Sequence, residues 1–262
     1  MIARTAVGFA LACAIALVAW RMRALSASGG TAAVVVGTAA VAAGWSWGAL
    51  LFAFFVTGTA LSRAQRENKL RRTESVVAKG GTRDAVQVLA NGGLFALAAL
   101  ASLVAPAMAC MAIGGGALAA ASADTWGTEV GTLSSRSPRL ITTWRRVAAG
   151  TSGGVTIVGL LASVAGGAFV GVMAWLVHWP PHVAVAAAAG GCAGALADSF
   201  AGALVQVRRR CTRCGVLTER TVHLCGDVTQ RIGGIPWLDN DGVNLLAGLT
   251  GAVVALMLAG TR

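Results

Sequence analysis

Residues 183–210 read VAVAAAAGGCAGALADSFAGALVQVRRR. The first 25 of these residues contain a single charged side chain, Asp198, and the last three are all arginine. An apolar run of this length can cross a bilayer as one helix, and basic residues directly after it are typical of the cytoplasmic end of a membrane span. The stretch therefore predicts a transmembrane helix that carries an acidic side chain.

The rest of the chain repeats this alternation of apolar spans and basic loops. It is 56% hydrophobic and only 12% charged, which fits an ordinary soluble domain poorly. Nineteen of its 21 Lys and Arg residues fall in four segments, 21–23, 63–83, 136–146 and 208–231. The turns on the other side of the spans carry no Lys or Arg. This one-sided bias predicts a multi-pass protein of the cell (inner) membrane with its basic loops in the cytoplasm.

We predict an all-α integral membrane protein with about eight transmembrane helices, several of them short, in a single domain that covers residues 1–262. The predicted spans are 5–20, 28–44, 45–61, 85–105, 107–123, 153–177, 183–207 and 243–260. The main cytoplasmic loops are then 63–84, 124–152 and 208–242, and both termini lie outside. We expect the first span to be a retained helix, because its basic residues mainly follow the apolar core instead of preceding it.

The net charge of +11 indicates that the protein binds anionic partners. The basic residues lie in loops between membrane spans, so they favour anionic lipid headgroups and phosphorylated substrates. We therefore expect membrane lipids as partners and no nucleic acid. The oligomeric state does not follow from the sequence.

Four predicted helices start at the cytoplasmic face in stretches rich in Gly, Ser, Thr and Asp, at 28–31, 79–84, 150–154 and 238–242. Helix N-termini present free backbone N–H groups and attract phosphate. The alternative is that these residues simply cap the helices. The candidate phosphate-binding residues in and beside these stretches are Lys79, Arg83, Arg139, Arg145, Arg146, Thr151, Ser152, Gly153, Asn240 and Asn244.

Two apolar helices carry an acid at a regular spacing from small residues. Gly190, Gly194 and Asp198 recur every four residues and so share one helix face. Gly116 and Asp124 repeat this spacing, with Ala120 between them. Small residues in such a row mark a face that packs against other helices, so both acids should face the bundle interior. An ionisable group in a membrane span predicts a functional site, and a structural ion pair or helix cap is the alternative.

The carboxylates near the cytoplasmic face are candidates for binding Mg²⁺. This ion uses one or two carboxylates together with substrate phosphates. The predicted ligands, which are also the catalytic candidates, are Asp124, Glu129, Asp198 and Asp241. Asn91, a polar residue inside a predicted span, is added to the catalytic candidates.

The last cytoplasmic loop contains a cluster of soft ligands. Cys211, Cys214, His223 and Cys225 follow the pattern C-x₂-C-x₈-H-x-C. Four such ligands are enough to close a tetrahedral structural zinc site. A loop without metal and a redox centre are the alternatives, whereas a disulfide is not expected in a reducing cytoplasm.

Five segments of the chain together resemble a known family. These are KGGTRDAVQVLANG (79–92), ADTWGTEVG (123–131), GTSGGV (150–155), the Asp198-Ser199 region, and LDNDGVN (238–244). They are similar to the membrane family called domain of unknown function ninety-two, which includes the animal transmembrane protein nineteen and the plant phytyl-phosphate kinase. The resemblance implies an integral membrane protein and, by analogy with the plant kinase, phosphorylation of an isoprenoid phosphate.

The leading hypothesis is a Mg²⁺-dependent phosphotransferase. It would transfer a phosphoryl group from CTP or ATP to an isoprenoid lipid phosphate at the cytoplasmic interface. One alternative is a cytidylyltransferase, which would use CTP to make a CDP-lipid at the same residues. Another is a transporter that uses the intramembrane Asp198 for coupling.

Overall fold

The computed structural model describes residues 2–64, 69, 72–73, 75–78 and 81–260. Within these residues, six long helices are apolar enough to cross a membrane, and two helices of 17 residues are apolar but shorter. This confirms the prediction of an integral membrane protein with about eight membrane helices, several of them short. The helices are α1 (Ile2–Arg21), α2 (Ala27–Ala43), α3 (Trp45–Ala64), α4 (Ala85–Ala101), α5 (Ala107–Gly131), α6 (Ile157–Leu176), α7 (Pro181–Leu204) and α8 (Asn240–Gly260).

Several predicted helix boundaries at the loop end of the bundle were wrong, and three of these errors move candidate site residues. α5 continues to Gly131, so Asp124 and Glu129 lie on a helix and not in the predicted loop 124–152. α6 begins at Ile157 and not at Gly153, because Gly153 has a φ of +75°, which a right-handed helix does not contain. α8 begins at Asn240, inside the predicted loop 208–242.

The loops contain two small sheets that the sequence did not predict. One pairs β1 (Arg139–Leu140) with β2 (Gly154–Val155) in antiparallel register. The other has the order β4-β3-β5 and is antiparallel throughout. Its strands are β3 (Arg208–Cys211), β4 (Leu217–Thr218) and β5 (Thr229–Gly233). All five strands are short and lie outside the membrane spans.

The loops that precede α2, α4, α6 and α8 meet at one end of the bundle. Backbone N–H of Ser26 donates to the carbonyl of Arg83 at 3.0 Å, which joins the first two loops. Backbone N–H of Glu219 donates to the carbonyl of Val76 at 2.8 Å, and the Ser152 hydroxyl donates to the Glu219 carboxylate at 2.6 Å. The described residues of all four basic segments therefore lie on the same side of the molecule.

α5 forms the centre of the bundle. Every residue from Gly114 to Ala123 is buried, and Leu118 is the only large side chain among them. Small residues allow neighbouring helices to approach closely, and this is what holds membrane helices together when lipid offers no hydrophobic driving force.

The helix backbones approach one another most closely where α5, α7 and α8 meet. A Cβ atom added to Gly251 would lie 2.5 Å from the carbonyl oxygen of Gly116 and 3.1 Å from that of Gly190. A Cβ atom on Gly194 would lie 2.7 Å from the carbonyl oxygen of Ala247. The small-residue faces predicted for α5 and α7 are thus confirmed as packing faces, and α8 is their common partner.

We predict that Gly251→Ala destabilises the bundle because the new methyl group would overlap the backbone of α5. Overpacking of this kind costs about 1–3 kcal/mol. The matched control is Gly93→Ala on α4, where the nearest atom to an added Cβ is Leu89 Cβ at 3.9 Å. Thermal unfolding in detergent should show a lower midpoint for Gly251→Ala only. Equal midpoints for the two variants would contradict the close packing.

Candidate functional site

A polar cavity of about 580 Å³ lies at the loop end of the bundle. Its walls come from the last turns of α5 and α7, the first turn of α8 and the loops described above. Most of the predicted site residues line it, although they come from distant parts of the sequence. They are Arg83, Asn91, Asp124, Glu129, Thr151, Ser152, Gly153, Asp198, Asn240, Asp241 and Asn244.

Three predicted cations that the structure describes are not part of this lining. Arg139, Arg145 and Arg146 are exposed, and the Arg139 guanidinium donates to the carbonyl of Trp144 within its own loop at 2.8 Å. Lys79 lies outside the residues that the structure describes. The described cations that do line the cavity are Lys69, Arg72, Arg83, Arg136 and Arg220.

The last turns of α5 contribute two carboxylates in different environments. Asp124 accepts a hydrogen bond of 3.4 Å from the hydroxyl of Thr128, one turn further along the helix. Glu129 accepts from the Ser62 hydroxyl at 2.8 Å and forms an ion pair of 2.6 Å with Lys69. The charge of Glu129 is therefore already compensated by a nearby cation.

α7 and α8 contribute a second polar group. In the amide orientation that satisfies its neighbours, the Asn244 side chain donates to Asp198 at 3.1 Å and to the carbonyl of Asn240 at 3.2 Å. Asn244 thus orients a carboxylate, a contact that the sequence did not predict. Asp241 is 4% exposed and lines the same cavity. Asn91 donates to the carbonyl of Gln87 on its own helix at 2.8 Å.

The helix N-termini at this end are capped by side chains. Ser26, Asp84, Thr156 and Asp239 each accept a hydrogen bond of 2.9–3.1 Å from the backbone N–H three residues later. Capping therefore accounts for Asp84 and Asp239 of the predicted stretches, whereas Ser26 and Thr156 cap their helices from just outside them. Thr151, Ser152 and Gly153 precede β2 instead of starting a helix, and they line the cavity as a turn.

Glu219 is a site residue that the sequence reasoning missed. Its carboxylate accepts from the Ser152 hydroxyl at 2.6 Å and from the Gln206 amide at 2.8 Å, and Gln206 is 2% exposed. Burial raises the pKa of the Glu219 carboxyl, and the hydrogen bond from Ser152 acts in the opposite direction. In the sequence, only its position between Cys214 and His223 distinguishes Glu219. Its burial depends on how this loop packs against the loops that contain Val76 and Ser152.

Arg83 lies where the polar cavity meets an apolar groove. A Cβ atom on Gly58 of α3 would lie 3.5 Å from both Arg83 Nη2 and Thr125 Cγ2, so this glycine leaves room for the guanidinium between α3 and α5. Burial lowers the pKa of Arg83, and the negative charge of Glu129 raises it. An arginine remains charged at any physiological pH.

The apolar groove has a volume of about 490 Å³ and runs between α1, α2, α3 and α4. Its apolar lining includes Gly8, Leu11, Ile15, Ala33, Val36, Ala49, Phe52 and Phe55. Four residues line both the groove and the polar cavity, namely Arg83, Gln87, Asn91 and Thr125. The two spaces are therefore adjacent, one apolar and one highly charged.

The four predicted Mg²⁺ ligands share the cavity without forming a compact cage. Among the residues that the structure describes, the one set of at least three candidate metal ligands within 4.8 Å of one another is Cys211, Cys214, His223 and Cys225. Mg²⁺ does not require such a cage, because it is commonly held by one or two carboxylates together with substrate phosphates and water.

The fold and the cavity define a polytopic integral membrane protein with a charged site at one end of its helices. Residues 10–252 match the family model described as Integral membrane protein DUF92, and the chain belongs to this family. The resemblance inferred from the five sequence segments is thereby confirmed.

Two relatives cover nearly the whole chain. It is 34% identical over 259 residues to Protein PGR of Arabidopsis thaliana, covering 89% of this chain and 88% of the plant protein. It is 32% identical over 233 residues to the Uncharacterized membrane protein MJ0933 of Methanocaldococcus jannaschii, covering 88% of this chain and 93% of the archaeal protein. No solved structure matches the chain.

We predict that Lys69→Met destabilises the protein because it removes the ion-pair partner of the largely buried Glu129 carboxylate. The side chains of this pair are 27% and 11% exposed, whereas those of the Arg213–Asp227 pair are 73% and 42% exposed. Breaking the first pair should cost about 1–3 kcal/mol, and the matched Arg213→Met should cost about 0.5 kcal/mol or less. Thermal unfolding in detergent measures both, and similar losses in the two variants would contradict this difference.

Proposed function

We propose that this protein is a Mg²⁺-dependent phosphotransferase that acts on an isoprenoid lipid phosphate, with a nucleoside triphosphate as donor. The observation that carries the proposal is a cavity lined by carboxylates and cations that shares four residues with an apolar groove. A substrate with a charged head and an apolar tail matches this pair of spaces.

The carboxylates support the metal requirement. One or two of Asp124, Asp198 and Asp241 would hold Mg²⁺ together with substrate phosphates, while Glu129 is already paired with Lys69. When bound, the ion supplies positive charge to the phosphate oxygens of donor and acceptor. Asn244 keeps the Asp198 carboxylate oriented through its 3.1 Å hydrogen bond.

The cations support the binding of phosphate groups. Arg83 would bind the lipid phosphate at the junction between groove and cavity, where its planar guanidinium can form two parallel hydrogen bonds to phosphate oxygens. Arg72, Arg136 and Arg220 would face the donor phosphates across the same cavity. Positive charge placed around the transferred group is the main contribution of the protein in phosphoryl transfer.

The reaction itself needs little chemistry from the side chains. An oxygen of the lipid phosphate attacks the γ-phosphorus of the donor, and the bond from this phosphorus to the β-γ bridging oxygen breaks. The products are a lipid diphosphate and a nucleoside diphosphate. No general base is required, because a phosphate acceptor is already anionic near neutral pH.

The charge distribution supports a cytoplasmic site. The described residues of all four basic segments lie at the cavity end of the bundle, and basic loops favour the cytoplasmic side of the membrane. Nucleoside triphosphates would reach the cavity from that side, and the lipid phosphate would enter from the bilayer. Both chain termini would then lie outside.

The first experiment is an assay of purified protein with geranylgeranyl or phytyl phosphate, Mg²⁺, and CTP or ATP. Mass spectrometry of the lipid products should detect a lipid diphosphate. A CDP-lipid with release of pyrophosphate would replace the kinase by a cytidylyltransferase at the same site. A transporter would be favoured if the folded protein forms neither product and if, in vesicles, the substrate reaches the protein from both membrane faces.

We predict that Asp124→Asn and Asp198→Asn each reduce turnover by more than about 100-fold, because each removes a carboxylate that would hold Mg²⁺ beside the transferred phosphates. Both variants should still insert into the membrane and elute as wild type in gel filtration. The control is Asp227→Asn, which removes a carboxylate outside the cavity lining. Near-normal turnover in both cavity variants would overturn the metal assignment.

We predict that Ala49→Phe raises KM for geranylgeranyl phosphate by about tenfold or more, because the ring occupies groove volume and excludes several methylene groups from apolar contact. KM for dimethylallyl phosphate, which has a much shorter tail, should change little. The control is Ala168→Phe on the exposed face of α6. An equal rise in KM for both substrates would show that the geranylgeranyl tail does not bind in the groove.

A further inference from the structure

Three cysteines and one histidine converge beside the three-stranded sheet. The Sγ atom of Cys211 lies 3.7 Å from that of Cys214 and 3.5 Å from that of Cys225, and the last two are 3.2 Å apart. Nδ1 of His223 lies 3.6 Å from Cys214 Sγ and 3.3 Å from Cys225 Sγ. A disulfide has an S–S distance of about 2.05 Å, so these cysteines are not bonded to one another.

The distances fit the edges of a tetrahedron around a zinc ion. With Zn–S of about 2.3 Å and Zn–N of about 2.0 Å, tetrahedral geometry places ligand atoms about 3.5–3.8 Å apart. The measured separations of 3.2–3.7 Å are close to these values. All four ligand atoms lie within 4.8 Å of one another, so the protein supplies a complete ligand set.

Two tight turns hold the ligands in this arrangement. Gly215 has a φ of +69° and its N–H donates to the carbonyl of Cys211 at 3.0 Å. Gly226 has a φ of +88° and its N–H donates to the carbonyl of His223 at 2.9 Å. Each turn places a glycine directly after a ligand cysteine, in a conformation that other residues rarely adopt.

We propose that Cys211, Cys214, His223 and Cys225 bind a structural Zn²⁺ ion, and that this ion fixes the small sheet that places Glu219 in the polar cavity. Four protein ligands close the coordination sphere and leave no position for a substrate, which is the mark of a structural site. The zinc site is therefore separate from the proposed phosphotransferase chemistry.

The sheet needs such an anchor because it has little hydrophobic core. Leu217, Val222, Leu224 and Val228 are 45–66% exposed, and its three strands contain two, four and five residues. Small units of this kind usually require a metal or disulfides for stability. Zinc would supply the missing stabilisation outside the membrane.

The sheet connects to the cavity through β4. The Thr218 hydroxyl and the Glu219 backbone N–H both donate to the carbonyl of Val76, at 3.1 and 2.8 Å. The Glu219 carboxylate then receives hydrogen bonds from Ser152 and Gln206 inside the cavity wall. Cys214 and His223 lie on either side of this segment in the sequence, so a fixed metal site limits where Glu219 can move.

The first test is the zinc content of the purified protein by inductively coupled plasma mass spectrometry. Wild type should contain about one zinc per chain, and Cys214→Ser and His223→Ala should lose it. His223→Cys should retain zinc, because four cysteines also form a structural site. Cys192→Ser, which lies on α7 outside the cluster, is the matched control and should also retain it. Iron in place of zinc, or no metal at all, would overturn the proposal.

The second test is hydrogen–deuterium exchange, which reports the position of Glu219 without an activity assay. In Cys214→Ser, backbone amides of residues 217–220 and 76–78 should exchange about tenfold faster or more, while α6 keeps its protection. In Glu219→Gln, the zinc content should remain at the wild-type value. Unchanged exchange in zinc-free protein would overturn the positioning role. Both tests are independent of phosphotransferase activity, so their failure is distinct from failure of the proposed function.

Discussion

The backbone contact between α5, α7 and α8 determines where the site lies. Gly116, Gly190 and Gly251 bring these three helices together at one level of the bundle. Asp124 and Asp198 each follow their glycine by eight residues, while Asn244 precedes Gly251 by seven on an antiparallel helix. At 1.5 Å per residue, all three polar residues lie about 10–12 Å from the contact in the same direction. A substitution at the contact therefore also alters the cavity.

Much of this arrangement follows from the sequence because helical periodicity is a local property. The four-residue spacing of Gly190, Gly194 and Asp198 predicted both a packing face and an inward acid, and the glycine contacts agree. The positions of charged residues in the sequence predicted the site residues less well. Arg145 and Arg146 were predicted as phosphate ligands from their position in a basic loop, but a short antiparallel pairing of that loop leaves them exposed.

The missed residues depend on tertiary contacts that no local pattern encodes. Lys69 lies in a basic loop with many similar residues, and only its ion pair with Glu129 distinguishes it. Glu219 belongs to a small extramembrane sheet, yet it reaches the cavity through contacts with Val76 and Ser152. Sequence periodicity cannot predict how one loop packs on another, because the contacting residues are far apart in the sequence.

In the proposed function, the short helices beside the groove would help to bring a lipid headgroup to the charged site. α2 and α4 contain 17 residues each, a length of about 25 Å, whereas the apolar core of a bilayer is about 30 Å thick. A helix shorter than the bilayer draws the headgroup region inwards around it. Arg83 immediately precedes the capped start of α4, so it would lie at this lowered interface. A lipid phosphate would then reach Arg83 while its tail remains in the groove, and no part of the tail would have to enter water.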